Sequence, residues 1–165
     1  MESLGDSVGS GITLVSVAGS GQSTRGISAR FRDLSRERHS SFFSTIVCEH
    51  RASRVMSGLA SGQVLKREQI PHHFHGAGHF GVSACKLNLP FEFVDGYEEF
   101  TEADAEAGRE FLRQSVDLAA MGGIEPGMTA SACVGVAVKR LASAYRDRTF
   151  IVVVYDSYAR SRVRQ

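Results

Sequence analysis

Apolar residues in this chain recur in short bursts with two periods. Ile12 to Ala18 reads ITLVSVA, a compact run bounded by Gly and Ser, and predicts a strand. FFSTIVC, Phe42 to Cys48, predicts a second. EHRASRVMSGLASGQ fits a short helix weakened by Gly58 and Gly62, and QVLKREQI after it fits another strand. VSACKLNLPFEFV alternates, with Cys85, Leu87, Leu89, Phe91 and Phe93 on one face and Lys86, Asn88, Pro90 and Glu92 on the other. That is a half-buried strand, and Pro90, which cannot donate to a ladder, places it at an edge or a bulge. FIVVVY is continuous and β-branched, which predicts a central strand buried on both faces.

Helical spacing appears three times. In SARFRDLSRERHSSFF, with Ile27 just before it, Ile27, Phe31 and Leu34 share one side and arginines fill the other. Thr101 followed by Asp104 makes a start like a capping box, and Glu102 and Glu106 suit the positive end of a helix dipole. Ala103, Ala107, Phe111, Ser115 and Leu118, with Leu112, Val116 and Ala119, give that helix an apolar stripe, and Gly122 and Gly123 stop it. The third runs from about Thr129 to Tyr145, with Ala132, Cys133, Val136, Ala137, Leu141 and Ala144 facing inward. The order predicts an α+β fold: a mostly antiparallel sheet with two consecutive core helices packed on one face. The Gly- and Ser-rich residues 1–28 are expected as a flexible N-terminal segment with one short strand, and residues 29–165 as a single domain.

A length of 165 residues with 42% hydrophobic content supports one core. No apolar run approaches the roughly 18 residues a membrane span needs, and no signal peptide is expected ahead of Glu2 and Asp6. Cys48, Cys85 and Cys133 lie far apart, which predicts buried free thiols and an intracellular, reducing compartment. The basic helix has the Arg and Ser content of a mitochondrial transit segment, but acids precede and interrupt it, so a cytoplasmic location is the expectation.

The net charge of +1 excludes a general nucleic-acid binder, yet it hides a layout. Arg25 to Arg67 holds nine Lys or Arg against three acids, Glu92 to Glu125 holds ten acids against Arg109 and Arg113, and the YARSRVRQ tail is basic again. Opposed patches of this kind can steer a partner, or a second copy, into register.

Candidate chemistry is sparse. IPHHFHGAGHF carries His72, His73, His75 and His79. In an extended chain His73 and His75 face one side, and His79 could close a third ligand position across GAG, as a divalent transition metal such as Zn would need. No HExxH, paired cysteine or adjacent carboxylate completes the set. ITLVSVAGSGQSTRG has the strand, glycine turn and Ser-Thr of a phosphate-binding loop, but Ser16 stands where its first Gly belongs and Gln22 where its Lys belongs. A Gly/Ser linker is the plainer reading. No GxSxG marks a serine nucleophile, and aromatics do not interleave with the basic segments as single-strand nucleic-acid binding requires.

Residues 98–158 are similar in order to part of the small dynein light chain family: an acidic helix, an Ile-Glu turn at Ile124 and Glu125, a basic helix with Ala132 and Lys139 closed by Tyr145, then a strand with Phe150 and Val152. The resemblance implies a non-enzymatic dimer that captures extended partner segments by strand addition. Together these features predict a non-enzymatic protein-interaction or assembly subunit with no cofactor, binding other proteins or copies of itself as a homo-oligomer. Its contacts would be Arg30, Arg32, Arg36 and Arg38 of the basic helix, Leu87, Leu89, Phe91 and Phe93 of the edge strand, and Arg160, Arg162 and Arg164 of the tail. The alternative is a small metal-dependent enzyme using His73, His75 and His79.

Overall fold

The computed structural model describes residues 11–17, 22–37, 42–52, 74, 77, 91–115 and 125–154. Strand β1 (Gly11–Val17) leads to helix α1 (Gln22–Glu37) and strand β2 (Phe43–His50). After a 3-10 turn at Phe91–Phe93 come strand β3 (Gly96–Phe100), helix α2 (Glu102–Ser115) and helix α3 (Met128–Val136). The last of these runs on through a π-helical turn, Ala137–Leu141, and a closing turn, Ala142–Ala144, before strand β4 (Arg148–Val152).

The four strands form one sheet in the order β3-β2-β1-β4, and every pairing is parallel. This is an α/β fold, which corrects the expected antiparallel α+β sheet. Apolar runs in β1 and β2 were compatible with either arrangement. The pairing direction follows from the crossovers, because a helix between two strands returns the chain to the same starting edge.

Register places Val15 beside Ile46 and Val17 beside Cys48, so these side chains share a face. They pack with Phe100, Ala105, Ala132, Cys133, Val136 and Leu141 into the main core. Leu14, Ser16 and Val47 lie on the other face, where α1 packs: Ser16 meets Thr24, and the Phe31 and Phe43 rings lie 5.0 Å apart. The sheet is thus covered on both sides, as parallel sheets require.

Three expectations about individual elements change. FIVVVY was read as central, but β4 ends the sheet order and Ile151 keeps 41% of its surface exposed. Phe91 to Phe93 form a 3-10 turn and not the end of an edge strand, while residues 83–90 lie outside the described residues. The strand at that edge is GYEEF, whose paired glutamates concealed it.

The buried side of α2 is Asp104, Ala105 and Gly108, whereas Phe111 is 41% exposed. The expected stripe was rotated because the helix meets α3 through glycine and not through large apolar groups. A Cβ on Gly108 would overlap the Ser131 carbonyl oxygen, and one on Gly135 would overlap that of Asp104. The two helices run antiparallel, with Gly108 against Ser131 and Gly135, and Asp104 beside Arg140.

At the start of the sheet the Arg148 guanidinium donates to Thr13 Oγ1 (2.7 Å), Ser44 Oγ (3.1 Å) and the carbonyls of Ile12 (3.0 Å) and Phe42 (2.8 Å). It satisfies strand-end acceptors that water would otherwise have to reach.

Glycine substitutions test the helix crossing. Gly108→Ala or Gly135→Ala should each lower stability by about 3 kcal/mol, because backbone must move to admit the methyl. Gly26→Ala, in α1 with no neighbour within 4 Å of the added carbon, should raise stability by about 0.7 kcal/mol. Urea midpoints for the three variants provide the measurement.

Candidate functional site at the carboxyl edge of the sheet

All four strands point the same way, so their carboxyl ends share one edge. The chain leaves β1 through α1 toward β2, and later crosses from β3 to the other side of β1 to make β4. β1 therefore stands at the switch point, where open parallel sheets leave a crevice for ligands.

The β1 end carries a matched polar pair. Ser16 and Thr24 are both buried, their hydroxyl oxygens are 2.9 Å apart, and the Thr24 hydroxyl donates to the Val17 carbonyl at 3.4 Å. The pair ties the end of β1 to the first turn of α1. The first turn of α1 holds no acidic residue, and Arg25 is exposed beside it. The helix's free amide groups and positive dipole end are therefore not offset by a carboxylate of that turn, and such an end favours an anion. The four residues joining β1 to α1 are Ala18, Gly19, Ser20 and Gly21, three of them in a GSG run.

The opposite face of the same edge is aromatic and closed. His50 is buried between Phe74 and Phe100, with ring centroids 5.3 Å and 5.5 Å away. Its Nδ1 accepts from the Ala52 amide at 3.3 Å, which leaves the proton on Nε2, 3.3 Å from Glu102 Oε1. This imidazole sets the end of β2 against the start of α2.

Behind it lies an ionic latch. Asp104 Oδ2 accepts from the Thr101 amide (2.9 Å), the Thr101 hydroxyl (3.0 Å) and Arg140 (2.6 Å), with Lys139 3.7 Å from Oδ1. Arg140 also bonds the Glu99 carbonyl and lies 3.4 Å from Glu98. The π-helical turn carries both Lys139 and Arg140 toward the β3–α2 corner. Burial alone would raise the Asp104 pKa, but the Thr101 hydrogen bonds and the Arg140 charge outweigh it and hold the carboxyl below its ordinary range.

Of the residues expected to bind partners, Arg30, Arg32, Arg36 and Phe93 have described side chains. Arg32 is held by Asp95 at 2.6 Å, and Arg30 lies 3.4 Å from Glu37. Arg36 is exposed in the last turn of α1, and Phe93 is half-buried. Arg38, Leu87, Leu89, Arg160, Arg162, Arg164, His72, His73, His75 and His79 lie outside the described residues, as does the Phe91 side chain. From the histidine segment only Phe74 and Ala77 are described, and both are buried in the core. Among the described residues no group of three or more His, Cys, Asp or Glu could hold a metal ion. Nor is any helix there long and apolar enough to cross a membrane. Ser16 and Thr24 were absent from the expected site. Their signal, strand then glycine turn then Ser-Thr, was visible but was discounted for want of a lysine.

No family model matches the sequence, and no curated protein matches it. Two solved enzymes share this fold. One is a fungal L-serine ammonia-lyase from Rhizomucor miehei, with a TM-score of 0.62 and 15% identity over 97% of this chain and 51% of that one. The other is maize serine racemase, with a TM-score of 0.51 and 10% identity over 85% of this chain and 41% of that one. The chain thus spans about half the length of these proteins or less, and at such identities the likeness is one of fold. It overturns the dynein light chain resemblance, since the neighbours are parallel-sheet enzymes. It also removes the support for a non-enzymatic assembly subunit without a cofactor, and it lends none to a zinc enzyme.

The latch yields a pH prediction. Asp104 has a folded pKa below its unfolded one, so its stabilisation is fully present above the unfolded value and is lost as pH falls through the folded one. Asp104→Asn should lower stability at neutral pH by about 2 kcal/mol. It should also flatten the decline of the urea midpoint below about pH 4 relative to the parent.

Proposed function

We propose that this chain forms one α/β domain of an enzyme acting on a small hydroxy amino acid, and that it seats a phosphate-bearing cofactor at the turn between β1 and α1. The observation that carries this reading is the acid-free start of α1, tied by Thr24 to Ser16 at the switch point of a parallel sheet. The likeness to two serine-processing enzymes supplies the substrate class.

Elimination of ammonia from serine and inversion of serine both begin with loss of the α-hydrogen. Pyridoxal phosphate supplies the electron sink for that chemistry, and it is the cofactor the fold suggests. The described residues fit one end of it. Its phosphate suits helix amides and small hydroxyls around a glycine-rich turn. Its aldehyde calls for a lysine, and the described lysine is Lys139. That side chain belongs to the helix layer on the other face of the sheet, where it contacts Asp104 and the Ala103 carbonyl. The described residues account for the phosphate and not for the aldehyde, so no bond-making step is assigned to them.

Equilibrium dialysis tests the phosphate seat. Pyridoxine phosphate, which has no aldehyde and cannot react with surface lysines, should bind at least about tenfold more tightly than pyridoxine. Thr24→Val, which unties the start of α1 from Ser16 and the Val17 carbonyl, should weaken it by about tenfold. Equal retention of the two vitamers, or indifference to the Thr24 substitution in a protein of unchanged melting temperature, would rule the seat out.

A further inference from the structure

Helix α3 starts inside the protein. Pro126 and Gly127 before it are buried, and so are Thr129 and Ala130 of its first turn. The first amides of a helix have no partner within it, and a buried start must find them acceptors elsewhere. Gly127 at the N-cap has no side chain to offer, and the first turn holds no acidic residue.

A second observation points the same way. Ser131 is 1% exposed, and among the described residues its hydroxyl has no hydrogen-bond partner. Its amide donates to the Gly127 carbonyl at 3.0 Å, so the residue stands one turn above the N-cap. Side chains of a helix lean toward its start, which aims this hydroxyl back over the first turn. A buried hydroxyl left unpaired costs stability, and a partner that completes it recovers that cost.

Charge at this end of α3 is positive. Glu125, just ahead of the helix, is held by Arg109 Nε at 3.1 Å and by Arg113 at 3.3 Å. Two guanidiniums on one carboxylate leave one positive charge in excess. Arg109 follows Gly108, which packs against the Ser131 carbonyl, so the cluster borders the same turn. The Arg113 side chain is 48% exposed, which opens the cluster to solvent.

We propose that the start of α3 binds a small oxyanion. The amides of the first turn and the Ser131 hydroxyl donate to it, and Arg109 and Arg113 supply the counter-charge. The buried surroundings restrict the site to a compact ion. It is separate from the phosphate seat, because α1 and α3 lie on opposite faces of the sheet.

The probe is inorganic phosphate, with chloride at equal ionic strength as the reference. The full chain carries Thr24→Val, which weakens the α1 seat, and is compared with the same chain carrying Ser131→Ala as well. Without phosphate, Ser131→Ala should melt at or above its parent, since it removes an unpaired buried hydroxyl. With phosphate at about fifty times the parent's dissociation constant, the parent should melt roughly 6 °C higher, and Ser131→Ala should gain about half of that. Equilibrium dialysis should show a dissociation constant about tenfold weaker for Ser131→Ala. Equal affinity of the two chains, or no gain in melting temperature for the parent, overturns the proposal. Glu125→Gln gives an independent reading. It removes the competing carboxylate and should tighten phosphate by roughly threefold; unchanged or weaker binding also overturns the site.

Discussion

Parallel pairing of β1 with both of its neighbours is the constraint on which everything else in this domain rests. A parallel strand cannot be reached by a tight turn, so each crossover carries the chain back across a face of the sheet. α1 takes one face, and α2 with α3 takes the other. The same constraint puts every carboxyl strand end on one edge. The polar groups gathered there, Ser16 and Thr24 on one side and His50 with Glu102 on the other, are neighbours because of topology. Their separations along the chain give no hint of it.

The two faces are then packed by different means. On the α1 side, the helix is held by Phe31 on Phe43 and by the Thr24 hydroxyl, which meets Ser16 and the Val17 carbonyl. On the other side two helices share the space above the sheet, and they do so by close approach. Gly108 and Gly135 remove side chains where backbones touch. Such contact brings Asp104 within reach of Arg140, and the π-helical turn widens the helix at the point where Lys139 and Arg140 must turn toward it. Insertions of this kind cost regular hydrogen bonding, and they persist where another interaction depends on them. Here that interaction is the closure of the β3–α2 corner, which also sets Glu102 against His50.

Much of this was legible as elements and little of it as topology. ITLVSVA and STIVC announce strands, and Thr101 with Asp104 announces a helix start whose hydrogen bonds the structure contains. What local pattern could not show was direction. A run such as FIVVV is apolar enough for a central strand, but its position at the end of the sheet order depends on where the β3–β4 crossover lands. GYEEF has no long apolar run to mark it as a strand, and its Glu98 lies beside Arg140. The charge blocks misled for the same reason. Asp95 from the acidic block holds Arg32 from the basic one, so these two charges of the expected docking faces meet inside the chain. Glycine was the other blind spot. Helix propensity alone counts a glycine as a cost, whereas in this fold Gly108 and Gly135 are the contact itself.

Of the histidine-rich segment, Phe74 and Ala77 are the described residues. What the described fold takes from it is Phe74, whose ring lies 5.0 Å from Phe100 and closes the aromatic side of the carboxyl edge. Across the sheet, the first turn of α1 holds no carboxylate, and the Ser16–Thr24 hydroxyl pair joins it to the end of β1. Among the described residues, one side of the edge is thus lined by aromatic packing, and the other favours an anion. The proposed phosphate seat at α1 lies across the sheet from His50, whose nitrogens face the Ala52 amide and Glu102.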